Sequence, residues 1–297
     1  MSRALILVNP TAGAGRAGRL ITSGGLRLPA SERWEVLMPE SAEQARADLE
    51  RELATGSVDR LIAVGGDGTA HLAANALLVS GTAAEVGFGI LPAGSGSDFA
   101  RSLGLPRKPQ AALQKILHAR PRWIDAIAVE VDSRERRYCL NIASAGLSGA
   151  VDAELARSSG RRSYLGATLL ALLRYAPRPY RVWVDGEQRV DGPIFLVAMA
   201  NGRFFGNGMK VAPDAAIDDG LLDVVMVPPV PRWQLPWRLP QFLTGRHVRL
   251  PWITAIRASE VRIEPEGESF PYDLDGEAVA AAGATFRILP GALRRLA

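Results

Sequence analysis

The chain has 297 residues, enough for about two domains at roughly 100–200 residues each. Apolar residues make up 47%, which excludes a disordered chain, and a net charge of +4 is too small to make nucleic acid the expected partner. The single cysteine, Cys139, forbids an internal disulfide, and only three histidines (His71, His118 and His247) argue against a Cys/His zinc site. Ala4–Val8 is a continuous apolar run that reads as a buried first strand, not as a signal peptide. Arg16–Ser23 starts a helix and Trp34–Met38 is a second strand. Ser41–Ala54 carries a Ser cap and helical spacing of Ala45, Leu49 and Leu53. Leu61–Val64 is a third strand, followed by a Gly loop and a helix over Thr69–Val79. Val86–Leu91 is a fourth, again followed by a Gly-rich loop and a helix. Repeated strand–helix units imply a parallel α/β sheet.

The pattern changes near Asp125. Ile127–Val131, Arg137–Ala143, Tyr180–Val184, Ile194–Ala200, Leu222–Val227, Ser259–Glu264 and Thr285–Leu289 read as short strands, interrupted by a helix over Arg162–Arg174. The expectation is an α/β domain over residues 1–125 and a mainly antiparallel β domain over 126–290. The longest apolar stretch, around Leu165–Leu173, is far shorter than the roughly 20 residues of a membrane helix, so no span is expected.

Three Gly-bearing loops follow strands. The first, Asn9-Pro10-Thr11-Ala12-Gly13-Ala14-Gly15-Arg16-Ala17-Gly18, contains a literal G-x-G-x-x-G, although Asn9-Pro10-Thr11 separate it from the strand. Glycines there let backbone N–H groups approach a phosphate at a helix start; a turn without ligand is the alternative. The second, Gly65-Gly66-Asp67-Gly68-Thr69, sets a carboxylate among three glycines. That suits backbone crowding a phosphate while Asp67 faces Mg²⁺, with Thr69 as N-cap or phosphate donor; a glycine turn with an Asp cap is the alternative. The third is Leu91-Pro92-Ala93-Gly94-Ser95-Gly96-Ser97-Asp98-Phe99. Loops at the carboxyl ends of parallel strands lie side by side where such sheets bind ligands. No P-loop and no protein-kinase motif set occurs, and a Rossmann oxidoreductase would leave the second and third loops unexplained.

These blocks, with Asn201-Gly202-x-Phe204-x-Gly206-x-Gly208-Met209, Ala212–Ala215, Asp218–Asp223 and Asp275-Gly276-Glu277, resemble the diacylglycerol kinase catalytic-domain family, in its soluble bacterial lipid kinase branch. Sphingosine, ceramide and NAD kinases are wider relatives. The resemblance implies an α/β nucleotide domain and a β-sandwich-like domain with the site in the cleft between them, the last residues returning to the first domain. It implies ATP held by Asn9, Pro10, Thr11, Ala12, Gly13, Gly65, Gly66, Asp67, Gly68, Thr69, Ala70, His71, Leu72, Gly94 and Ser95. It implies Mg²⁺ within a network of Asp67, Asp98 and Asp125, Glu277 as proton acceptor beside Asp275, and a structural Mg²⁺ at Ala216, Asp219 and Leu221. Departures are His71 and Leu72 for Asn and Glu, Ser95 and Ser97 for Thr and Asn, and Met38 where the family uses Thr.

The expected activity is transfer of the ATP γ-phosphoryl group to a lipid hydroxyl, diacylglycerol first among acceptors. A kinase of another lipid or of a soluble acceptor such as NAD, and a non-catalytic nucleotide-binding protein, are the competing readings. A lipid acceptor requires reversible contact with a membrane surface from the cytoplasmic side; a homodimer is left open. Two arginine-rich stretches could dock: Arg157–Arg181, and Pro231–Trp252 with Trp233, Trp237 and Trp252. The alternative for both is an ordinary helix burying its Trp and Leu. His118, His247 and the charged turn Asp132–Arg137 read as surface features, and Asp185-Gly186-Glu187 as a hairpin turn.

Overall fold

The computed structural model describes residues 3–94, 96–132, 135–151, 174–267 and 269–296. Contacts divide the chain into Met1–Asp125 with Pro290–Ala297, and Ala126–Leu289.

In the first unit β1 (Arg3–Val8), β2 (Arg33–Leu37), β3 (Arg60–Gly65) and β4 (Gly87–Pro92) run parallel in the order β2-β1-β3-β4. Leu5, Ile6, Leu61 and Ile62 are fully buried. Such unbroken apolar runs are what a sheet covered on both faces requires. Helix α2 (Ala42–Leu53) begins where the Ser41 side chain accepts the Gln44 N–H at 3.1 Å, and it buries Ala45, Leu49 and Leu53, the expected stripe. Helices α1 (Ala12–Thr22) and α3 (Asp67–Val79) follow β1 and β3; the short α4 (Asp98–Ser102) and α5 (Pro109–His118) follow β4. The chain's last segment returns to this unit: Arg295 pairs parallel with Phe88, and the Gly291 N–H donates to Asp125 at 2.7 Å. The strand order reverses between β1 and β3, so their loops flank the crevice where open α/β sheets bind ligands.

The second unit is β-rich. β7 (Ile142–Gly146), β10 (Leu196–Ala200), β11 (Leu222–Val227), β12 (Thr254–Ala258), β14 (Phe270–Leu274) and β15 (Glu277–Ala281) form an antiparallel sheet ordered β12-β11-β10-β7-β14-β15. A second set joins β8 (Arg178–Val184), β9 (Glu187–Ile194), β13 (Glu260–Pro265) and the start of β16 (Ala284–Arg295), and β5 (Arg122–Val131) pairs with β6 (Glu135–Cys139). One buried cluster takes Ile127, Val182, Ile263 and Phe286 from this set and Ala143, Met199, Val225 and Tyr272 from the other, a sandwich-like core.

Four strands escape the sequence pattern. β9 and β12 are sheet edges with largely exposed residues, β15 is an edge of small residues, and β14 carries a proline. The single strand expected over Arg137–Ala143 is two, β6 and β7, in different sheets. The break is at Leu140–Asn141, where Asp275 accepts the backbone N–H groups of Leu140 (2.7 Å), Asn141 (2.9 Å) and Ile142 (3.1 Å). The helix expected over Arg162–Arg174 lies, apart from Arg174, outside the described residues. Among the described residues no helix is long and apolar enough to cross a membrane.

Candidate active site

The three glycine loops of the first unit meet. Asn9 holds the first by an Asx turn, its side-chain oxygen accepting the Thr11 N–H at 3.1 Å and hydroxyl at 2.8 Å, while its own N–H donates to Val64 O at 3.2 Å. Gly13, Ala14 and Gly15 are all left-handed, so regular helix starts at Arg16 as expected, and Ala12–Gly15 form a kinked preamble. A Cβ on Gly13 would sit 2.0 Å from Ala93 O. Ala93 and Gly94 donate to Gly65 O at 2.8 and 2.9 Å, and a Cβ on Gly94 would fall 2.4 Å from Gly66 Cα. Loop-to-loop packing therefore accounts for Gly13 and Gly94, and the Thr69 side chain of its own segment accounts for Gly65. Gly68 differs: among the described residues a Cβ there meets nothing within 4 Å, so space is left beside the α3 N-terminus.

Asp67 ties the second loop to the third, accepting the N–H of Asp98 at 3.0 Å and of Phe99 at 2.9 Å. Asp98 pairs with Arg101 at 3.0 Å, and Asp125 holds Gly291. The N-cap of α3 is Gly66, so Thr69 is not the cap. Thr69 instead points a buried hydroxyl, with no hydrogen-bond partner among the described residues, toward this loop cluster, its Oγ1 2.2 Å from where a Gly65 Cβ would be. Ser97, left-handed at φ 53° ahead of α4, also buries an unpartnered hydroxyl. A buried hydroxyl without a partner costs about 1–3 kcal/mol, and a left-handed non-glycine residue about as much. Thr69, Ala70 and His71 are buried near the start of α3, Leu72 is half-buried, and Met38 is 38% exposed just past β2. Ser95 lies outside the described residues. Arg16, which the sequence reading did not single out, donates to Gly94 O at 2.9 Å and to Ala93 O at 3.3 Å. It brings a cation to the loop cluster, and a basic residue straight after Gly-x-Gly was its only signal.

In the second unit both Asp-Gly-Glu triplets are hairpin turns. Asp185 and Gly186 (φ 48° and 81°) join β8 to β9, and Asp275 and Gly276 (φ 55° and 92°) join β14 to β15. In each, the Asp carboxylate holds a neighbouring segment: Asp185 takes the N–H groups of Ser259 and Glu260, and Asp275 takes those of Leu140, Asn141 and Ile142 with the Cys139 thiol at 2.9 Å. Burial and the Asp275 carboxylate push the Cys139 thiol well above its usual range. Asn201 and Gly202 grip the same corner, through Leu140 O and Asn141 O, both at 2.8 Å. Asp275 is thus built into a structural corner. The triplets differ at their third residue: Glu277 is half-buried, whereas Glu187 is exposed and paired with Arg189.

Asp219 accepts the Leu221 N–H at 3.2 Å and lies 3.4 Å from Arg257, which also reaches toward Asp223 at 3.9 Å. Burial, opposed by Arg257, raises the Asp223 carboxyl, and its Oδ2 is buried without a hydrogen-bond partner. Among the described residues no group of three or more acidic, His or Cys side chains forms a complete metal cage. His247 is not a surface residue: it is fully buried, Nε2 lies 3.0 Å from Val211 O, and the ring stacks on Phe242 at 4.1 Å. His118 contacts Gln114 O on its own helix.

Residues 3–129 match the diacylglycerol kinase catalytic domain, and residues 141–297 the YegS C-terminal NAD kinase beta sandwich-like domain. The chain is 31% identical over 296 residues to a "Diacylglycerol kinase" of Mycobacterium tuberculosis, covering 98% of this chain and 93% of that protein. It is 34% identical over 254 residues to a "Probable lipid kinase YegS-like" of Chromohalobacter salexigens, covering 82% and 78%. A crystal structure of a diacylglycerol kinase from Bacillus anthracis shares the fold at a TM-score of 0.75, with 23% identity over 99% of this chain and 96% of that one. The chain belongs to the diacylglycerol kinase-like family of lipid kinases, an α/β catalytic domain followed by a β-sandwich-like domain.

Proposed function

We propose that this lipid kinase transfers the γ-phosphoryl group of ATP to the hydroxyl of diacylglycerol, forming phosphatidate. The observation that carries the nucleotide half is the loop cluster itself. Among the described residues two buried hydroxyls there, Thr69 and Ser97, lack partners, and Gly68 leaves open space at the start of a 13-residue helix. Phosphate oxygens supply acceptors for those hydroxyls and for the first N–H groups of α3.

The residues fit Mg²⁺ in the manner usual for that ion, through one or two carboxylates plus phosphates and water and not through a protein cage. Asp67, the first residue of α3, is the carboxylate placed to hold the ion, directly or through its waters. When bound, Mg²⁺ supplies charge neutralisation across the transferring phosphates. Asp67 also fixes the third loop, so positioning and electrostatics reside in the same carboxylate. Arg16 adds positive charge. Glu277 takes the proton of the lipid hydroxyl, with Asp275 holding the turn that presents it. A structural Mg²⁺ at Asp219, with the carbonyls of Ala216 and Leu221, belongs to the same reading, supported by the unpartnered Asp223 oxygen.

The test is a radiolabelled ATP assay with diacylglycerol, ceramide, phosphatidylglycerol, NAD and buffer alone. Label in phosphatidate with Mg²⁺ present is expected. Label on a different acceptor would reassign the substrate, and none on any would end the catalytic reading.

A further inference from the structure

We propose that the segment around the helix Leu235–Thr244, here α6, is the surface by which the enzyme docks on an anionic lipid bilayer, a proposal that rests on the acceptor being a membrane lipid. From Val224 to Ser259 the sequence holds five arginines and no carboxylate. Trp233, in the short 3₁₀ turn Arg232–Gln234 before α6, and Trp237 stand four residues apart, on one face, at 72% and 75% exposure; Leu243 is 51% exposed. Leu235 and Phe242 face the core instead, so α6 has an inner anchor and an outward aromatic face.

The alternative of an ordinary helix burying its tryptophans therefore fails at Trp233 and Trp237. Exposed indoles lose by contact with water and gain at a membrane boundary, where an apolar body meets polar head groups.

The charge around them is uncompensated. Arg238, Arg246 and Arg249 make no ion pair among the described residues, and Lys210 is exposed beside α6, its N–H donating to Phe242 O at 3.0 Å. Arg238 lies over the Trp252 ring at 4.8 Å, and both line a shallow cleft of about 190 Å³ with Pro228 and Pro231. Cations around exposed indoles complement anionic head groups. The other arginine-rich stretch offers less: Arg181 is paired with Glu264 at 2.9 Å, and residues 157–173 lie outside the described ones.

The test uses the full chain with vesicles of phosphatidylcholine alone, or mixed with phosphatidylglycerol, at low and high salt. Binding to the mixed vesicles is expected at low salt, weakened by high salt and small on the neutral ones. R246E/R249E should weaken it at least 25-fold, about fivefold for each charge removed. W233A/W237A should weaken it and remove a blue shift in tryptophan emission. R136E/R189E, the same charge change on another face, should bind like the parent protein. All variants should phosphorylate a short-chain, water-soluble diacylglycerol within about twofold of the parent rate. Binding that ignores both α6 variants would overturn the docking surface, as would an α6 face that instead pairs two copies, seen as dimers split by W233A/W237A without loss of vesicle binding. Vesicle binding that obeys the variants in a protein that phosphorylates no lipid would uphold the surface and sink the substrate reading.

Discussion

The carboxylate of Asp67 accepts the backbone N–H of Asp98 at 3.0 Å, and so joins the loop after β3 to the helix after β4 across 31 residues of sequence. One side chain therefore carries both architecture and, on our reading, the electrostatics of phosphoryl transfer.

Asp67→Ala should lose both roles, leaving two helix-start N–H groups without a partner. Asp67→Asn separates them, because its carbonyl oxygen still accepts a hydrogen bond. We expect Asn to lower turnover by at least about 10²-fold, typical of losing one preorganised electrostatic group, while destabilising by only about 1–2 kcal/mol. Steady-state kinetics beside thermal unfolding decides it; near-normal turnover in folded Asp67→Asn would remove Asp67 from the chemistry.

Gly68 and Gly94 should respond oppositely to alanine. Gly94→Ala drives a Cβ to 2.4 Å from Gly66 Cα and should unfold the loop cluster. Gly68→Ala meets no atom within 4 Å among the described residues, and alanine favours helix by up to about 1 kcal/mol, so stability should hold or rise. If phosphate occupies that space, ATP affinity should still fall by about tenfold or more. Calorimetric titration with ATP reads it, and unchanged affinity would place the phosphates elsewhere.

Glu277→Gln should cut turnover by about 10²–10⁴-fold and leave nucleotide binding intact. Asp275→Asn should act mainly on stability, since its carboxylate holds three backbone N–H groups and the Cys139 thiol. The expected penalty is about 2–4 kcal/mol, read from denaturant unfolding. If Asp275→Asn stays fully stable yet loses turnover as Glu277→Gln does, the two roles need exchanging.

His247 makes stability depend on pH. Burial lowers its folded pKa below the ordinary 6.5 despite the carbonyls of Gln241 and Val211. Below pH 6.5 the unfolded chain takes up the proton first, so unfolding gains and stability falls with falling pH until the folded form also titrates. The contribution is fully present above pH 6.5. Melting temperatures from pH 8 to 5 should show a slope that flattens in His247→Gln; identical slopes would exclude His247 as its source.

Much of the first unit is legible in the sequence because its determinants are local. A run such as Ala4–Val8 must be buried on both faces, Ser41 caps the helix it precedes, and glycines after strands open helix starts at the carboxyl edge of the sheet. The turn at Asp185-Gly186 follows from the left-handed backbone that Asp-Gly accommodates. What local pattern cannot reach is contact between distant residues. Asp275 splits one expected strand into β6 and β7 by bonds spanning 133 to 135 residues, and no periodicity at Arg137–Ala143 announces it. Gly13 and Gly94 look alike beside Gly68 until the backbone shows which Cβ would collide and which would meet open space. Trp233 and Trp237 read equally as core or surface, since both environments place aromatics at helical spacing. Only packing, which seats Leu235 and Phe242 inward, leaves the indoles outside, because burial is decided by what the rest of the chain brings against a face.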